Sequence, residues 1–387
     1  MGKTLTEIAQ QLSTPKTVRK TAPEKTKEID EVKPVPKIQL IYAFNGTGKT
    51  RLSRAFKELI APKAEGEEAQ TSDLAAKKIL YYSAFTEDLF FWDNDLGQDA
   101  EPKLIIQPNA FTRWVLQEQG QDQSIARTFQ RYTSDKLTPH FSADFSSVSF
   151  SFERGNQRIE PNIKISKGEE SNFIWSVFNA LIEQVISELN IAEVADRSTD
   201  VFNNLSYVFV DDPVSSLDEN HLIELAVNLA GLIKSSQSKL KFIITTHSPL
   251  FYNVLFNEFS NKACYMLERL EDGGFKLTEK LGDSHKSFSY HLHLLEIIEN
   301  AIADQKVERY HFTLLRNLYE KTASFLGYPK WSELLPDEKQ LYYSRIINFT
   351  SHSTLSNEAA AQPTLAERAM VKLLLEHLKN SHGFWRQ

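Results

Sequence analysis

The stretch "IQLIYAFNGTGKT", residues 38 to 50, places an apolar strand, a loop with two glycines and the start of a helix in direct succession. A phosphate-binding loop requires this context. Gly46 and Gly48 allow the backbone to curl so that its N–H groups point at phosphate oxygens. Ala43 stands where the motif usually has its first glycine. The stretch predicts an α/β domain that binds a nucleoside triphosphate.

Lys49 and Thr50 carry the chemistry of this loop. The lysine ammonium is expected to reach the β- and γ-phosphates, and the threonine hydroxyl to ligate Mg²⁺. An unrelated lysine after a glycine-rich turn is the alternative, but a strand and a helix flank the loop as the motif requires. The residues predicted to hold the nucleotide phosphates are Asn45, Gly46, Thr47, Gly48, Lys49 and Thr50.

A second apolar strand, in "LSYVFVDD", residues 205 to 212, ends in two aspartates. Asp211 is predicted to hold Mg²⁺ together with Thr50, and Asp212 to orient the water that attacks the γ-phosphate. A glutamate is commoner at the second position, and the shorter aspartate predicts slow hydrolysis, which suits a switch better than a motor. A solvated turn after the strand is the alternative, which the upstream loop disfavours.

Three short segments follow each other in an order that resembles the head of ABC ATPases. "SKGEES" (166 to 171) corresponds to the signature loop, "SSLD" (215 to 218) to the D-loop, and "TTHSP" (245 to 249) places the switch histidine, His247, after a strand. Each segment alone is weak, since Ser166 and Glu169 also fit a helix capping box. Their joint order with the phosphate loop is specific, and the resemblance covers about residues 38 to 265.

The ABC resemblance implies that nucleotide holds two heads together. The signature residues Ser166 and Gly168, with Asp218 of the D-loop, would contact the nucleotide bound by a second subunit. We therefore expect a homodimer or a higher homo-oligomer through the heads, which hydrolysis would release. The residues do not distinguish ATP from GTP, and Mg²⁺ is the expected metal.

Composition excludes several other classes. The chain has 387 residues, 41% of them hydrophobic, and a net charge of −7, which indicates a globular protein without a general coating of nucleic acid. The single cysteine, Cys264, excludes disulfides within the chain and a cysteine-based zinc cluster. No apolar run is long enough to span a membrane, and the first residues, MGKTLTEIAQQ, lack the apolar region expected of a secretory signal. The cytoplasm is the expected compartment.

The predicted fold is an α/β ABC-type P-loop ATPase head followed by an all-α C-terminal domain. Residues 1 to 37 predict a helix (Leu5–Leu12) and a flexible Lys/Pro/Glu-rich arm, residues 38 to 265 the head, and residues 266 to 387 a helical domain of four helices. Seven of the ten histidines lie beyond residue 276, so groups that transfer protons near neutral pH concentrate there.

Two helical segments of this last third carry residues that suit RNA cleavage. "LLRNLYEK" places Arg316 and Glu320 on one helix face, and "SRIINFTSH" places Arg345 and His352 in an Arg-x6-His pattern. A metal-free ribonuclease needs a base for the 2′-OH, an acid for the 5′-oxygen and cations for the phosphate. Glu320 is the predicted base, His352 the acid, and the two arginines the cations.

Ordinary structural roles remain alternatives for these residues. Arg316 and Glu320 have the spacing of a common helix ion pair, and His352 suits a helix cap or a core position. His291 and His293 suit a metal site poorly, because no cysteine or carboxylate cluster accompanies them.

Over nearly its full length the sequence resembles the PrrC-type anticodon nucleases, from "GKTLTEIAQQL" to "TSHSTLSNEA". The resemblance places the family's catalytic Arg, Glu and His on Arg316, Glu320 and His352, and its C-terminal domain resembles the HEPN ribonucleases. It also implies that residues 280 to 293 recognise the anticodon. The contacts implied there are Asp283 above all, with Ser284 and Lys286.

The resemblance further implies a role in antiviral defence. Such nucleases are held latent by a type I restriction–modification complex and are released in phage infection. They cut lysine tRNA on the 5′ side of the wobble base, leaving a 2′,3′-cyclic phosphate and a 5′-OH. GTP hydrolysis would accompany activation, and thymidine nucleotides such as dTTP would stabilise the active form.

Two other functions compete with this interpretation. One is a nucleotide-switched DNA-binding or sensor ATPase, in which the helical domain only docks partners. The other is a metal-dependent DNA nuclease fused to an ABC head, which lacks the carboxylate cluster that it would need.

Overall fold

The computed structural model of the chain describes residues 2–21, 28–62, 78–83, 89–94, 101–108, 110–154, 158–213, 219–280, 290–350 and 363–382. The chain divides into two compact units, Met1–Ser284 and His285–Gln387. Strands are β1 (Lys16–Thr21), β2 (Glu28–Lys33), β3 (Ile38–Tyr42), β4 (Ile79–Ser83), β5 (Phe90–Asp93), β6 (Lys103–Ile106), β7 (Leu137–Phe141), β8 (Ser147–Arg154), β9 (Arg158–Glu160), β10 (Tyr207–Asp211), β11 (Lys241–Thr246), β12 (Ala263–Arg269) and β13 (Phe275–Glu279). Helices are α1 (Leu5–Ser13), α2 (Lys49–Ile60), α3 (Ala110–Arg113), α4 (Asp122–Tyr132), α5 (Lys167–Asn190), α6 (Glu219–Ser235), α7 (Pro249–Glu258), α8 (Tyr290–Ala303), α9 (Arg309–Leu326), α10 (Lys339–Thr350) and α11 (Leu365–His382).

A six-stranded sheet forms the centre of the first unit, with the order β13-β12-β3-β11-β10-β4. All neighbouring strands are parallel except the β12–β13 hairpin. Every residue of β3 and of β10 is buried, as expected for apolar strands covered on both faces. Because β3, β10 and β11 run in parallel, their carboxyl ends meet at one edge of the sheet, where ligands of open α/β sheets bind. The sequence therefore brings its polar strand ends together at this edge.

A second, antiparallel sheet has the order β5-β6-β8-β7, with β9 paired to β8. An aromatic cluster between this sheet and helices α4 and α5 holds it in place, because Phe150 lies 5.3 Å from Phe173 and 5.7 Å from Phe129 between ring centroids. In strand β8 the buried residues Val148 and Phe150 alternate with less buried serines, which is typical of a strand with one face on the core.

The N-terminal helix belongs to the core of the first unit. Ile8, Ala9 and Leu12 of α1 are buried in one cluster with Ile41 and Phe56. The sequence predicts a flexible arm after this helix, whereas the structure pairs β1 with β2 as an antiparallel hairpin, with Lys16 opposite Lys33 and Thr21 opposite Glu28. Both segments contain β-branched residues, Thr17 and Val18 in β1 and Ile29 and Val32 in β2, a composition that favours strands.

The first unit also extends beyond residue 265, the boundary predicted from sequence. Strand β13 pairs with β12 and forms one edge of the central sheet. A tight turn between the two strands reverses the direction of the chain, so that the apolar residues of β13 lie beside β12. Lys3 and Phe275 exchange backbone hydrogen bonds of 2.8 Å, which tie the start of the chain to this edge.

In its described residues the second unit has four helices, α8 to α11, and a 3₁₀ turn at Trp331–Leu334. Its core is built from buried residues on all four of these helices, among them Ile298, Leu315, Ile346 and Leu374. Among the described residues, no helix is both long and apolar enough to cross a membrane. The predicted class is thus confirmed: an α/β P-loop head precedes an all-α unit.

Candidate nucleotide site and candidate nuclease site

The phosphate loop has the backbone shape that its glycines predict. Gly46 has a φ of +79° and Gly48 a φ of +108°, and Gly48 is the N-cap of α2. The conformation of Gly48 favours glycine, and a Cβ atom there would also crowd the Phe275 ring at 3.2 Å. The loop therefore presents the start of a helix toward the edge where the strands end.

The ammonium of Lys49 lies at the centre of this loop. Its Nζ donates to the carbonyl oxygens of Ala43 (3.1 Å) and Phe44 (3.3 Å) and to Oδ1 of Asn45 (3.2 Å). It also lies 3.5 Å from Oδ2 of Asp212, and the side chain is 7% exposed. A cation fixed against the loop backbone is what a triphosphate requires, so these residues fit a nucleotide.

Asp211 and Thr50 lie together, as predicted for a Mg²⁺ pair. Asp211 is buried, and its Oδ1 accepts a 2.6 Å hydrogen bond from the hydroxyl of Thr245. Burial raises the pKa of Asp211, which the hydrogen bonds of Thr245 and Thr50 partly offset. A carboxylate beside a hydroxyl, both oxygen donors, fits a hard divalent cation.

Asp212 and His247 form the second polar pair at this edge. Nδ1 of His247 lies 2.7 Å from Oδ2 of Asp212, and the backbone N–H of His247 donates to Oδ1 at 3.3 Å. Burial acts to raise the pKa of Asp212, but the hydrogen bond and charge of His247 and the charge of Lys49 outweigh it and lower the pKa. Asp212 has a φ of +52°, a left-handed conformation that aspartate tolerates. Its carboxylate is thus held ionised and fixed in direction.

The signature residues lie at the start of the 24-residue helix α5. Ser166 is its N-cap, and both hydrogen bonds of a capping box with Glu169 are present, at 3.3 Å and 2.7 Å. The capping box considered from sequence is therefore present. Gly168 lies in the first turn of the helix that Ser166 caps. Asp218 lies outside the described residues.

In the second unit, Arg316 and Glu320 of α9 are brought together. Nε of Arg316 donates to Oε1 of Glu320 at 2.7 Å, with side chains 33% and 36% exposed. The ion pair considered from sequence is present, and the exposure leaves the carboxylate reachable from outside. Glu320 also lines an open cavity of about 730 Å³.

Arg345 lies exposed on α10, the helix that follows in sequence. Hydrogen bonds with the side chain and backbone of Thr364, and the charge of Arg345, lower the pKa of Glu367, so the arginine faces the start of α11. His352, Asp283, Ser284 and Lys286 lie outside the described residues. Within the described part of the chain, no group of three or more His, Cys, Asp or Glu is arranged to hold a metal ion.

Sequence reasoning missed two features of the second unit. One is His311, which is 3% exposed and accepts the backbone N–H of Glu308 at Nδ1 (2.9 Å) as a helix cap. The other is the aromatic lining of the cavity beside Glu320, from Tyr328, Trp331 and Tyr343. The segment "GYPKW" after a long amphipathic helix is the signal that would have pointed to it, since its aromatic residues follow a helix-ending glycine.

No family model matches the chain. An anticodon nuclease of Escherichia coli is 70% identical over 394 residues, which covers 100% of this chain and 99% of that protein. Among solved structures, the SMC head domain from Thermotoga maritima aligns over 69% of this chain and 99% of its own, with 12% identity and a TM-score of 0.31. The cbiO1 component of an ABC transporter from Clostridium perfringens aligns over 73% and 91%, with 12% identity and a TM-score of 0.33.

Proposed function

The chain belongs to the anticodon nuclease family, and from this premise we propose that it is a nucleotide-regulated ribonuclease that cuts the anticodon loop of lysine tRNA without a metal ion. The 70% identity over the whole chain is the observation that carries the proposal. The alignment spans both units of this chain, the nucleotide head and the helical unit, and nearly the whole length of the relative. The proposed cut lies on the 5′ side of the wobble base.

The proposed chemistry uses the hydroxyl of the RNA itself. Glu320 takes the proton of the 2′-OH, and the 2′-oxygen attacks phosphorus as the bond to the 5′-oxygen breaks. His352 gives a proton to that leaving oxygen, while Arg316 and Arg345 stabilise the charge on the phosphate oxygens. The products are a 2′,3′-cyclic phosphate and a 5′-OH. The 2.7 Å bond from Arg316 supports this assignment, because it fixes the direction of the Glu320 carboxylate.

The head is proposed to control when this reaction occurs. Asn45 to Thr50 would hold the phosphates of GTP or ATP, and Thr50 and Asp211 would hold Mg²⁺, whose charge neutralises the phosphate oxygens. Asp212 accepts a hydrogen bond from the attacking water, and His247 orients Asp212. Ser166, Gly168 and Asp218 are proposed to complete the site of a second subunit, in a homodimer or higher homo-oligomer.

The wider regulation is proposed from the same family resemblance. The nuclease is held latent by a type I restriction–modification complex and is released in phage infection, with GTP hydrolysis driving activation and dTTP stabilising the active form. The first unit, Met1–Ser284, is proposed to contain the nucleotide head, and the second, His285–Gln387, to be the HEPN-like nuclease domain.

Cleavage of total tRNA by the purified full chain tests the proposal. We expect lysine tRNA to be cut in the anticodon loop, also when EDTA is added after activation with nucleotide and Mg²⁺. End sequencing should locate the cut 5′ of the wobble base with a 5′-OH on the downstream fragment. Intact tRNA after incubation with protein free of its restriction complex, together with DNA-stimulated ATP hydrolysis, would instead favour the nucleotide-switched sensor.

A further inference from the structure

An open cavity of about 730 Å³ lies beside Glu320 in the second unit. Its walls come from the last turns of α9, from residues 328 to 332, and from α10. The carboxylate assigned as the base is therefore part of the wall of a space large enough for a nucleotide. In the proposed cleavage reaction only the Glu320 carboxylate takes part, so the other residues that line the cavity have no role in it.

One wall of the cavity is a fixed aromatic pair. The rings of Trp331 and Tyr343 stack, with centroids 5.2 Å apart and planes at 29°. Tyr319 packs edge-on against Trp331 at 6.2 Å, and its own hydroxyl donates to the carbonyl of Leu374 at 2.8 Å. Because Tyr319 is fully buried, the orientation of the Trp331 ring is set from behind. The wall is thus a preformed stacking surface.

Tyr328 supplies a third aromatic ring to the same cavity. Helix α9 ends at Gly327, and the backbone N–H of Tyr328 donates to the carbonyl of Ala323 at 2.9 Å, which fixes where the chain leaves the helix. The side chain is 43% exposed, although tyrosine usually buries most of its ring. The fold therefore holds a large aromatic side chain at the mouth of this space.

Polar groups among the lining residues complete the set that a nucleotide needs. Lys330 is exposed between the two aromatic segments and provides a cation for a phosphate. Ser332 and Gln340 provide hydrogen-bond donors and acceptors for the edge of a base. Aromatic faces, one cation and a few neutral polar groups are the chemistry by which proteins hold single-stranded RNA.

We propose that this cavity receives one unstacked nucleobase of the RNA loop next to the phosphodiester that is cut, with Tyr328 and the Trp331–Tyr343 pair as its stacking surfaces. The inference rests on the proposed function, because Glu320 places the cavity at the nuclease site. Recognition of RNA loops generally works on bases that leave the stack and lie against aromatic side chains. The cavity thus fixes which nucleotide is presented to Glu320.

Binding of an uncleavable RNA by variants of Tyr328 tests this inference. The probe is a fluorescently labelled anticodon stem-loop of lysine tRNA with a deoxyribose on the 5′ side of the wobble base, which removes the 2′-OH nucleophile. Fluorescence anisotropy with the full chain gives the Kd. We expect Tyr328→Ala to raise the Kd about 5- to 100-fold, the range for loss of one base–aromatic stack, and Tyr328→Phe to stay near wild type because it keeps the ring.

Phe325→Ala is the matched control. Phe325 is an aromatic residue of the same helix end, 88% exposed, and it lies outside the set of residues that line the cavity. Its removal is expected to leave the Kd unchanged, and thermal melting checks that all three variants fold. A second series replaces each loop nucleotide in turn with an abasic one. One position should weaken binding to the wild type and have little further effect on Tyr328→Ala.

The outcomes separate the two proposals. Cleavage of the all-RNA stem-loop together with equal Kd values for wild type and Tyr328→Ala overturns the cavity as a base site and leaves the nuclease standing. Equal weakening by Tyr328→Ala and Phe325→Ala also overturns it, since the effect would then be a general one of surface aromatics. Failure of the wild type to bind and cut the stem-loop overturns the proposed function and this inference with it.

Discussion

Nε of Arg316 lies 2.7 Å from Oε1 of Glu320, one helical turn further along α9. The same i, i+4 spacing links Lys372 and Glu376 of α11, where the two charges lie 3.9 Å apart and both side chains are about 60% exposed. The two pairs share chemistry and spacing, but only Glu320 lines the cavity. This contrast provides a control inside the same unit.

Glu320→Gln is expected to lower the rate of RNA cleavage by about 10²-fold, because glutamine cannot accept the 2′-OH proton. Single-turnover cleavage of the lysine tRNA stem-loop measures the rate. Glu376→Gln breaks a comparable surface pair, worth at most about 1 kcal/mol, and should cleave at the wild-type rate. A near-normal rate for Glu320→Gln would leave Glu320 as one half of a structural ion pair.

His247→Ala is expected to lower nucleoside triphosphate hydrolysis by about 10²-fold with little change in nucleotide affinity, because the Asp212 carboxylate loses the group that orients it. Steady-state phosphate release and equilibrium nucleotide binding measure the two quantities. His140→Ala, which removes a histidine hydrogen-bonded to Ser151 in the antiparallel sheet, is the control and should hydrolyse normally. Equal losses in affinity and turnover would assign His247 to binding instead.

Gly48→Ala is expected to destabilise the first unit by about 1–3 kcal/mol, because alanine is strained at a φ of +108°. Its Cβ would also press on Phe275, and nucleotide-dependent thermal stabilisation should be lost. Gly231→Ala in helix α6 is the matched change, since nothing lies within 4 Å of its new Cβ. It should stabilise by about 0.5–1 kcal/mol. Chemical denaturation of both variants checks the opposite signs.

His311 predicts a pH dependence of the second unit. Burial lowers the pKa of His311, while the hydrogen bond that a protonated Nδ1 donates to the carbonyl oxygen of Glu308 (3.3 Å) and the charge of Glu308 act in the opposite direction. The unfolded chain therefore takes up a proton near pH 6.5 that the folded unit resists. Stability is full above that pH and falls as the pH drops below it.

His311→Gln should reduce this loss. Glutamine is an accepted partner at this position of a capping box and does not titrate. Thermal melting of the full chain between pH 7.5 and 5.5, followed in both proteins, measures the difference in slope. Equal slopes would show that other groups account for the pH dependence.

The nucleotide edge was predictable because its signals are local in sequence. A strand, a loop with fixed glycine positions and a helix define where Lys49 lies, and parallel strands must end at one edge. Asp211 with Thr50, and Asp212 with His247, therefore come together as expected. The directions of the two aspartate pKa shifts were harder to foresee. The pKa of Asp211 is raised and that of Asp212 lowered, because the outcome depends on which carboxylate is more buried and which faces a cation.

The cavity beside Glu320 was not predictable, because its parts meet only through tertiary packing. Tyr328 and Tyr343 lie on different segments, and the stacking of Trp331 on Tyr343 depends on how α9 and α10 cross. The hairpin after α1 was missed for a different reason. A composition rich in lysine, glutamate and proline indicates flexibility on average, whereas the β-branched residues within two short segments favour strands that pair with each other.

Gly48, in the loop after β3, and Phe275, on the edge strand β13, lie close in space although 227 positions separate them along the chain. The Phe275 ring thereby limits the space beside the phosphate loop. An affinity screen confined to the residues of the loop would overlook this distant residue, which limits the shape that the loop can take.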